Sequence, residues 1–160
     1  MLMLVFHACT TDKPATIEPV WENNIFSRIG VAPIGGGIAQ EDYWVWGSSV
    51  VKGDDNLYHM YVSRWPKRLP FHPGWLVASE IVYAVSETPE GPYRFSDVTL
   101  PARGAEYWDG RSTHNPRMLR HKDLYVLFYM GSTHPFEEVS NPDTLTLTIL
   151  LLPVPINELV

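Results

Sequence analysis

The residues best suited to chemistry crowd into one short stretch, YWDGRSTHNPRML, at positions 107 to 119. It sets an indole (Trp108), a carboxylate (Asp109), a guanidinium (Arg111), an imidazole (His114) and a carboxamide (Asn115) within eight residues of each other. A guanidinium presents a planar fork of donors to oxygen ligands. A carboxylate can take or orient a proton, and an aromatic face packs against the CH-rich face of a sugar ring. Together they would furnish one wall of a sugar-binding active site. They also fit a polar loop that ends at Pro116, since Asp109-Gly110 is an ordinary turn dipeptide.

Other positions offer matching chemistry. Asp42 precedes YWVW and could serve as a base or close a turn. Glu80 precedes the apolar IVYAV and is either a ligand-facing acid or a partner for Arg64. Arg64 and Arg111 suit sugar hydroxyls or the positioning of carboxylates. Trp44, Trp46, Trp65 and Trp108 are candidate stacking rings, although strand alternation puts Trp44 and Trp46 on one face, where a core would also claim them. His114 and His134 belong to a scattered set of six histidines without ligand spacing, so sugar-bonding or structural roles fit better than a metal. No cofactor is expected. Gly35, Gly36 and Gly37 lack the Lys-Ser/Thr and the βαβ setting of a phosphate loop, and read as a turn.

Such residues need a scaffold. The 160-residue chain has the length of one domain and carries a net charge of −6, which argues against nucleic acid as a partner. Six Trp, eight Tyr and six Phe stand among 14 Pro and 11 Gly, the profile of many short strands joined by tight turns. WVWGSSVVK, the turn GDDN and LYHMYVSRW read as a β-hairpin. After the loop PKRLPFHPG come WLVASEIVYAVS, the turn ETPEGP and YRFSDVTL, which complete a four-stranded antiparallel meander. No segment shows sustained helical periodicity with caps.

The unit then repeats. NPRMLRHKDLYVLFYMGST aligns with SSVVKGDDNLYHMYVSRW without a gap, at an offset of 67 from Leu57 to Leu124. That offset sets Ser48 against Asn115 and Asp42 against Asp109, and a repeat of this period signals an array of similar units.

WGSSVVKGDDNLYHMYVS, IVYAVSETPEGPYRF and THNPRMLRHKDLYVLFYMGS resemble the first two blades of five-bladed β-propeller glycosidases, glycoside hydrolase family 43 and its fructan-cleaving relatives. The resemblance covers residues 40 to 140. It implies an all-β propeller, an oligo- or polysaccharide substrate and a central funnel lined by three carboxylates. In that family a base Asp opens the first blade, a second Asp opening the next blade orients the acid, and the acid Glu lies in the third. An acid and a base on opposite faces of the sugar are what glycoside hydrolysis requires. Here the family's Asp-Pro positions fall on Ser48-Ser49 and Asn115-Pro116, and neither Ser nor Asn is a carboxylate base. The innermost strands of a propeller start at the funnel. Residues 42 to 48, 63 to 66, 78 to 80, 109 to 115 and 131 to 135 would therefore share one mouth. Asp42, Asp109 and Glu80 are the carboxylates left for catalysis. Trp44, Trp46, Arg64, Trp65, Trp108, Arg111, His114, Asn115 and His134 are the candidate sugar contacts.

The expected division is a signal or lipoprotein remnant over 1–13, a lead-in over 14–40, two blades over 41–148 (the second incomplete) and an anomalous tail over 149–160. Ala8-Cys9 followed by TTDK fits either the lipid-modified first residue of an exported protein, periplasmic or at the cell surface, or a buried or incidental cysteine; the membrane would be reached only through a lipid anchor on Cys9. DTLTLT alternates like a strand, whereas ILLLPVPINELV does not; this fits a genuine short terminus or, the favoured reading, a chain cut or frame-shifted near Ile149. Two functions are compatible with these features: a glycoside hydrolase of which this chain is a part inactive alone, or a non-catalytic glycan-binding propeller.

Overall fold

The computed structural model describes residues 25–137 and Val139. The expected signal remnant with Cys9, the strand DTLTLT and the tail from 149 lie outside them. The chain divides into two units after Val31. The described part of the first is a single helical turn, α1 (Ile25–Arg28), and the exposed residues that follow it.

The second unit is all-β, as composition and turn spacing predict. Strands β1 (Tyr43–Lys52), β2 (Tyr58–Pro66), β3 (Glu80–Ser86) and β4 (Arg94–Leu100) form an antiparallel meander in sequence order. Strands β5 (Ser112–His121) and β6 (Leu124–Ser132) form a second, two-stranded sheet. These are propeller-type blades, the first with four strands and the second described for two. Among the described residues no helix is long and apolar enough to cross a membrane.

The first core gathers where strand alternation directs apolar side chains inward. Met60, Val62, Val82, Ala84 and Tyr93 are buried together, and Val45 and Val98 pack on them from the flanking strands. The turn after β3 closes on itself: Thr88 Oγ1 donates to the Gly91 carbonyl at 2.7 Å and the Tyr93 hydroxyl to the Pro89 carbonyl at 2.8 Å. The glycine run of the lead-in is laid against this turn. Gly37 N donates to the Glu90 carbonyl at 2.7 Å, and Tyr93 N donates to the Gly37 carbonyl at 2.8 Å. A Cβ on Gly91 (φ +92) would stand 2.8 Å from Gly37 N, so the close approach depends on bare backbone at that point.

Two features depart from the sequence-based expectation. The stretch Trp75–Ala78 is helical rather than the start of a strand; it belongs to α2 (Phe71–Ala78), and β3 begins only at Glu80. Within α2, His72 and Pro73 leave helical geometry, so the segment is a kinked pair of turns. Leu69, Val77 and Val139 form a second small core with it. The repeat also carries a one-residue slip. Lys52 pairs with Tyr58 and Arg120 with Tyr125, so the second hairpin turn is one residue shorter than the first. On the second strands the offset stays 67 (Tyr58 to Tyr125), but on the first strands it is 68 (Lys52 to Arg120). Gly47, not Ser48, is therefore the equivalent of Asn115, and the pairing of Asp42 with Asp109 slips likewise.

Sheet-to-sheet contact is made by short hydroxyl side chains on β5 and its neighbours. Met118 N donates to Ser49 Oγ at 2.9 Å, and Asn115 N donates to Ser63 Oγ at 3.0 Å. Thr113 Oγ1 accepts from Ile81 N at 3.2 Å and donates to the Leu100 carbonyl at 3.0 Å. Buried backbone groups must find partners, and these hydroxyls provide them where no ladder runs between the sheets. They hold the start of β5 against β1, β2 and β3.

Candidate functional site

Both first strands are bulged at the same point. β1 skips Gly47 between Trp46 and Ser48, and β5 shifts register between His114 and Arg117. The bulge residues are left-handed, Gly47 with φ 60 and Asn115 with φ 52. Asn tolerates that region better than most residues because its short side chain can bond locally. A bulge re-aims the adjacent side chains, and here both open onto one cavity of about 250 Å³.

Its walls are aromatic: Trp46, Trp65, Phe71 and Trp75. Phe71 is the hub, with ring centroids 5.5 Å from Trp46 and 5.1 Å from Trp65. Trp75 meets the His114 ring edge-to-face at 4.8 Å. The polar lining comes from Ser63, His72, His114 and Asn115. Trp75 Nε1 donates to His72 Nδ1 at 3.0 Å, which makes neutral His72 the Nε2–H tautomer. Trp65 and His114 are almost wholly buried, yet Trp65 Nε1 and His114 Nδ1 have no hydrogen-bond partner among the described residues. Unpaired buried polar atoms of this kind stand ready for a ligand or a bound water. Burial pushes the His114 pKa below the ordinary imidazole value, so the ring is neutral near pH 7. None of the lining residues carries a carboxylate.

The residues expected from sequence are distributed around this cavity as follows. Trp46, Trp65, His114 and Asn115 share it. Trp44 lies just outside, edge-on to Phe71 at 5.6 Å, with its Nε1 donating to the Leu69 carbonyl at 3.0 Å. Arg64 is buried and fully engaged. Its guanidinium donates to Glu80 Oε1 (Nε at 2.8 Å, Nη2 at 2.7 Å) and to Gln40 Oε1 at 3.0 Å, between the rings of Tyr43 and Phe95. Glu80 is thus the ion-pair partner of Arg64, and with Arg111 and His134 it lines a separate cavity. Asp42 is exposed in the turn before β1, where its carbonyl accepts from Lys67 N at 2.9 Å. Trp108 is 62% exposed and stacks on Tyr129 at 5.7 Å.

Asp109 is only 2% exposed. One of its oxygens accepts from Arg103 (Nε at 3.1 Å, Nη2 at 2.5 Å), and the other accepts from the Tyr129 hydroxyl at 2.6 Å. Burial alone would raise its pKa, but the Tyr129 hydrogen bond and the Arg103 guanidinium outweigh burial and hold the carboxyl below its usual range. The three carboxylates therefore occupy three different settings: one exposed, one paired at the edge of another cavity, one enclosed by its own partners. Among the described residues no group of His, Cys, Asp and Glu side chains could hold a metal ion.

Sequence reasoning missed Ser63, Phe71, His72 and Trp75. The signal was present in the β2–β3 connection, where FHPGW carries two aromatic rings and a histidine at the mouth end of the sheet.

No protein-family model matches the chain, and no curated protein matches it. Among solved structures it is similar to Zg3597, a family 117 glycoside hydrolase of the marine bacterium Zobellia galactanivorans. The TM-score is 0.51 at 18% identity, over 59% of this chain and 31% of that one. The chain thus spans about a third of that enzyme. At this identity the likeness shows the fold alone, an all-β propeller-type fold, and it does not single out family 43.

Proposed function

We propose that this chain binds carbohydrate and forms a sugar-holding wall in a propeller-type glycoside hydrolase. The observation that carries the reading is the cavity between the two blades, walled by four aromatic side chains, with two residues of its lining, Trp65 and His114, each holding a buried ring nitrogen without a partner among the described residues. Aromatic faces cover the apolar side of a sugar ring, while indole and imidazole nitrogens and the Asn115 carboxamide take its hydroxyls, which both donate and accept. The lining carries no Asp, Glu, Lys or Arg, which favours a neutral sugar. In this reading the acid and base that glycoside hydrolysis needs lie beyond this cavity, with Asp42, Asp109 and Glu80 as the proposed carboxylates of the chain. Export through the Ala8-Cys9 pattern belongs to the same proposal.

The absence of a carboxylate from the lining favours a second reading, a glycan-binding propeller without turnover. Calorimetric titration of the full chain with neutral oligosaccharides, paired with a reducing-end assay on the same samples, separates the two. Saturable binding without new reducing ends is the expected result for this chain. Turnover by the chain alone would place a working acid–base pair among its own carboxylates and end the second reading. Failure to bind any neutral oligosaccharide would end both readings.

A further inference from the structure

Trp75 forms one wall of the aromatic cavity and is held by two imidazoles in opposite settings. On β5, His114 is buried and meets the indole edge-to-face at 4.8 Å. In α2, His72 is exposed, and its Nδ1 accepts from Trp75 Nε1 at 3.0 Å. His72 leaves helical geometry (φ −120, ψ 131), and its ring comes to rest with its centroid 6.2 Å from that of Trp75.

The contact with His72 is conditional on protonation. An indole N–H can only donate, so His72 Nδ1 must present its lone pair. A protonated imidazole carries a proton on both nitrogens and has no acceptor left. Two N–H groups would then face each other at 3.0 Å, and the contact cannot survive. The charged ring is drawn instead towards an aromatic face, which the tilted Trp75 indole offers. The sign follows: the hydrogen bond is present while His72 is neutral and is lost as the pH falls through the imidazole range. The cavity lining comes from β1, β2, α2 and β5, and its one other titratable group is His114, whose pKa burial pushes down. Of the charged residues nearby in the fold, Arg64 of β2 is tied to Glu80 and Gln40. Lys67 donates to the Glu41 carbonyl at 2.7 Å and lies over the Trp44 ring, and Arg68 lines the separate cavity with Glu80 and Glu137.

We propose that His72 is a pH-operated latch on Trp75, closed when the imidazole is neutral and open when it is protonated, so that acid loosens the aromatic wall of the cavity. The latch stands on this geometry alone; its effect on sugar rests on the carbohydrate reading above. The test follows the full chain, labelled with 5-fluorotryptophan and ¹⁵N-histidine, from pH 8 to pH 5 without sugar. At the alkaline end the His72 Nδ1 resonance should be that of an unprotonated nitrogen. As acid is added, it and the Trp75 fluorine should move with one shared midpoint. In His72→Gln, whose carboxamide oxygen accepts from the indole at every pH, the Trp75 resonance should stay fixed. Calorimetry with a neutral oligosaccharide should find affinity about fivefold weaker at pH 5 than at pH 8 in the parent, and equal in the variant. A Trp75 resonance that stays fixed in the parent, one that titrates equally in His72→Gln, or sugar bound equally by the parent at both pH values would overturn the proposal. If the variant fails to fold, the parent decides: separate midpoints for His72 and Trp75 overturn the latch, and a shared one supports it. No sugar bound at either pH, with Trp75 still titrating, would end the carbohydrate reading and leave the latch standing.

Discussion

Replacing Asp109 with asparagine is expected to lower folding stability by about 2–3 kcal/mol. The carboxylate is enclosed, and its two oxygens divide between Arg103 and Tyr129. Hydrogen bonds to a charged group contribute about 1.5–3 kcal/mol. The loss stays below the roughly 3–5 kcal/mol of a wholly buried pair because Arg103 is 48% exposed and returns to water. The backbone also depends on this side chain's position: a Cβ on Gly131 would stand 2.3 Å from Asp109 Cβ, so the end of β6 packs directly on it. The pH dependence has a definite sign. Unfolded Asp titrates near pH 3.9, and the folded value is lower. The stabilisation is therefore fully present above about pH 4 and is lost as the pH falls through the folded value. Urea unfolding of the chain and of Asp109→Asn at pH 7 and pH 3 should show a gap that narrows with acid. A variant as stable as the parent at pH 7 would contradict the anchoring role of this carboxylate.

Trp75→Ala is expected to weaken sugar binding about thirtyfold, or about 2 kcal/mol. Trp75 contributes a ring to the cavity, packs edge-to-face with His114 and holds His72 through its indole N–H. Truncation removes the surface and releases two polar neighbours at once, which is the pattern of a binding hot spot. Trp75→Phe keeps a ring and should retain most of the affinity. Calorimetry on both variants checks this, with circular dichroism to confirm the sheet. Equal affinity in parent and Trp75→Ala would remove α2 from the site.

Much of this arrangement was legible in the sequence. Alternation and turn chemistry revealed the meander, the second hairpin and the common end to which Trp46, Trp65, His114 and Asn115 belong. What escaped did so for physical reasons. Four apolar residues, WLVA, fit one helical turn as well as one strand start, and only packing of Val77 with Leu69 decides between them. The one-residue shortening of the second hairpin turn cannot be seen in an ungapped alignment, so Ser48 took the place of Gly47. Asp109 looked available because its partners are remote in kind: Tyr129 reaches it across the hairpin, and Arg103 from a loop with no pattern of its own. The stretch YWDGRSTHNPRML is accordingly split by the fold. Its first half encloses a carboxylate, and its second half faces the cavity.

The most direct measurement is ¹⁹F NMR of the chain labelled with 5-fluorotryptophan, each resonance assigned by single replacement, during titration with a neutral oligosaccharide. The structure predicts that Trp65 and Trp75 shift together and saturably, while Trp108, stacked on Tyr129 outside the cavity, stays in place. Movement of Trp108 with Trp65 and Trp75 unchanged would contradict the placement of the sugar between the two blades.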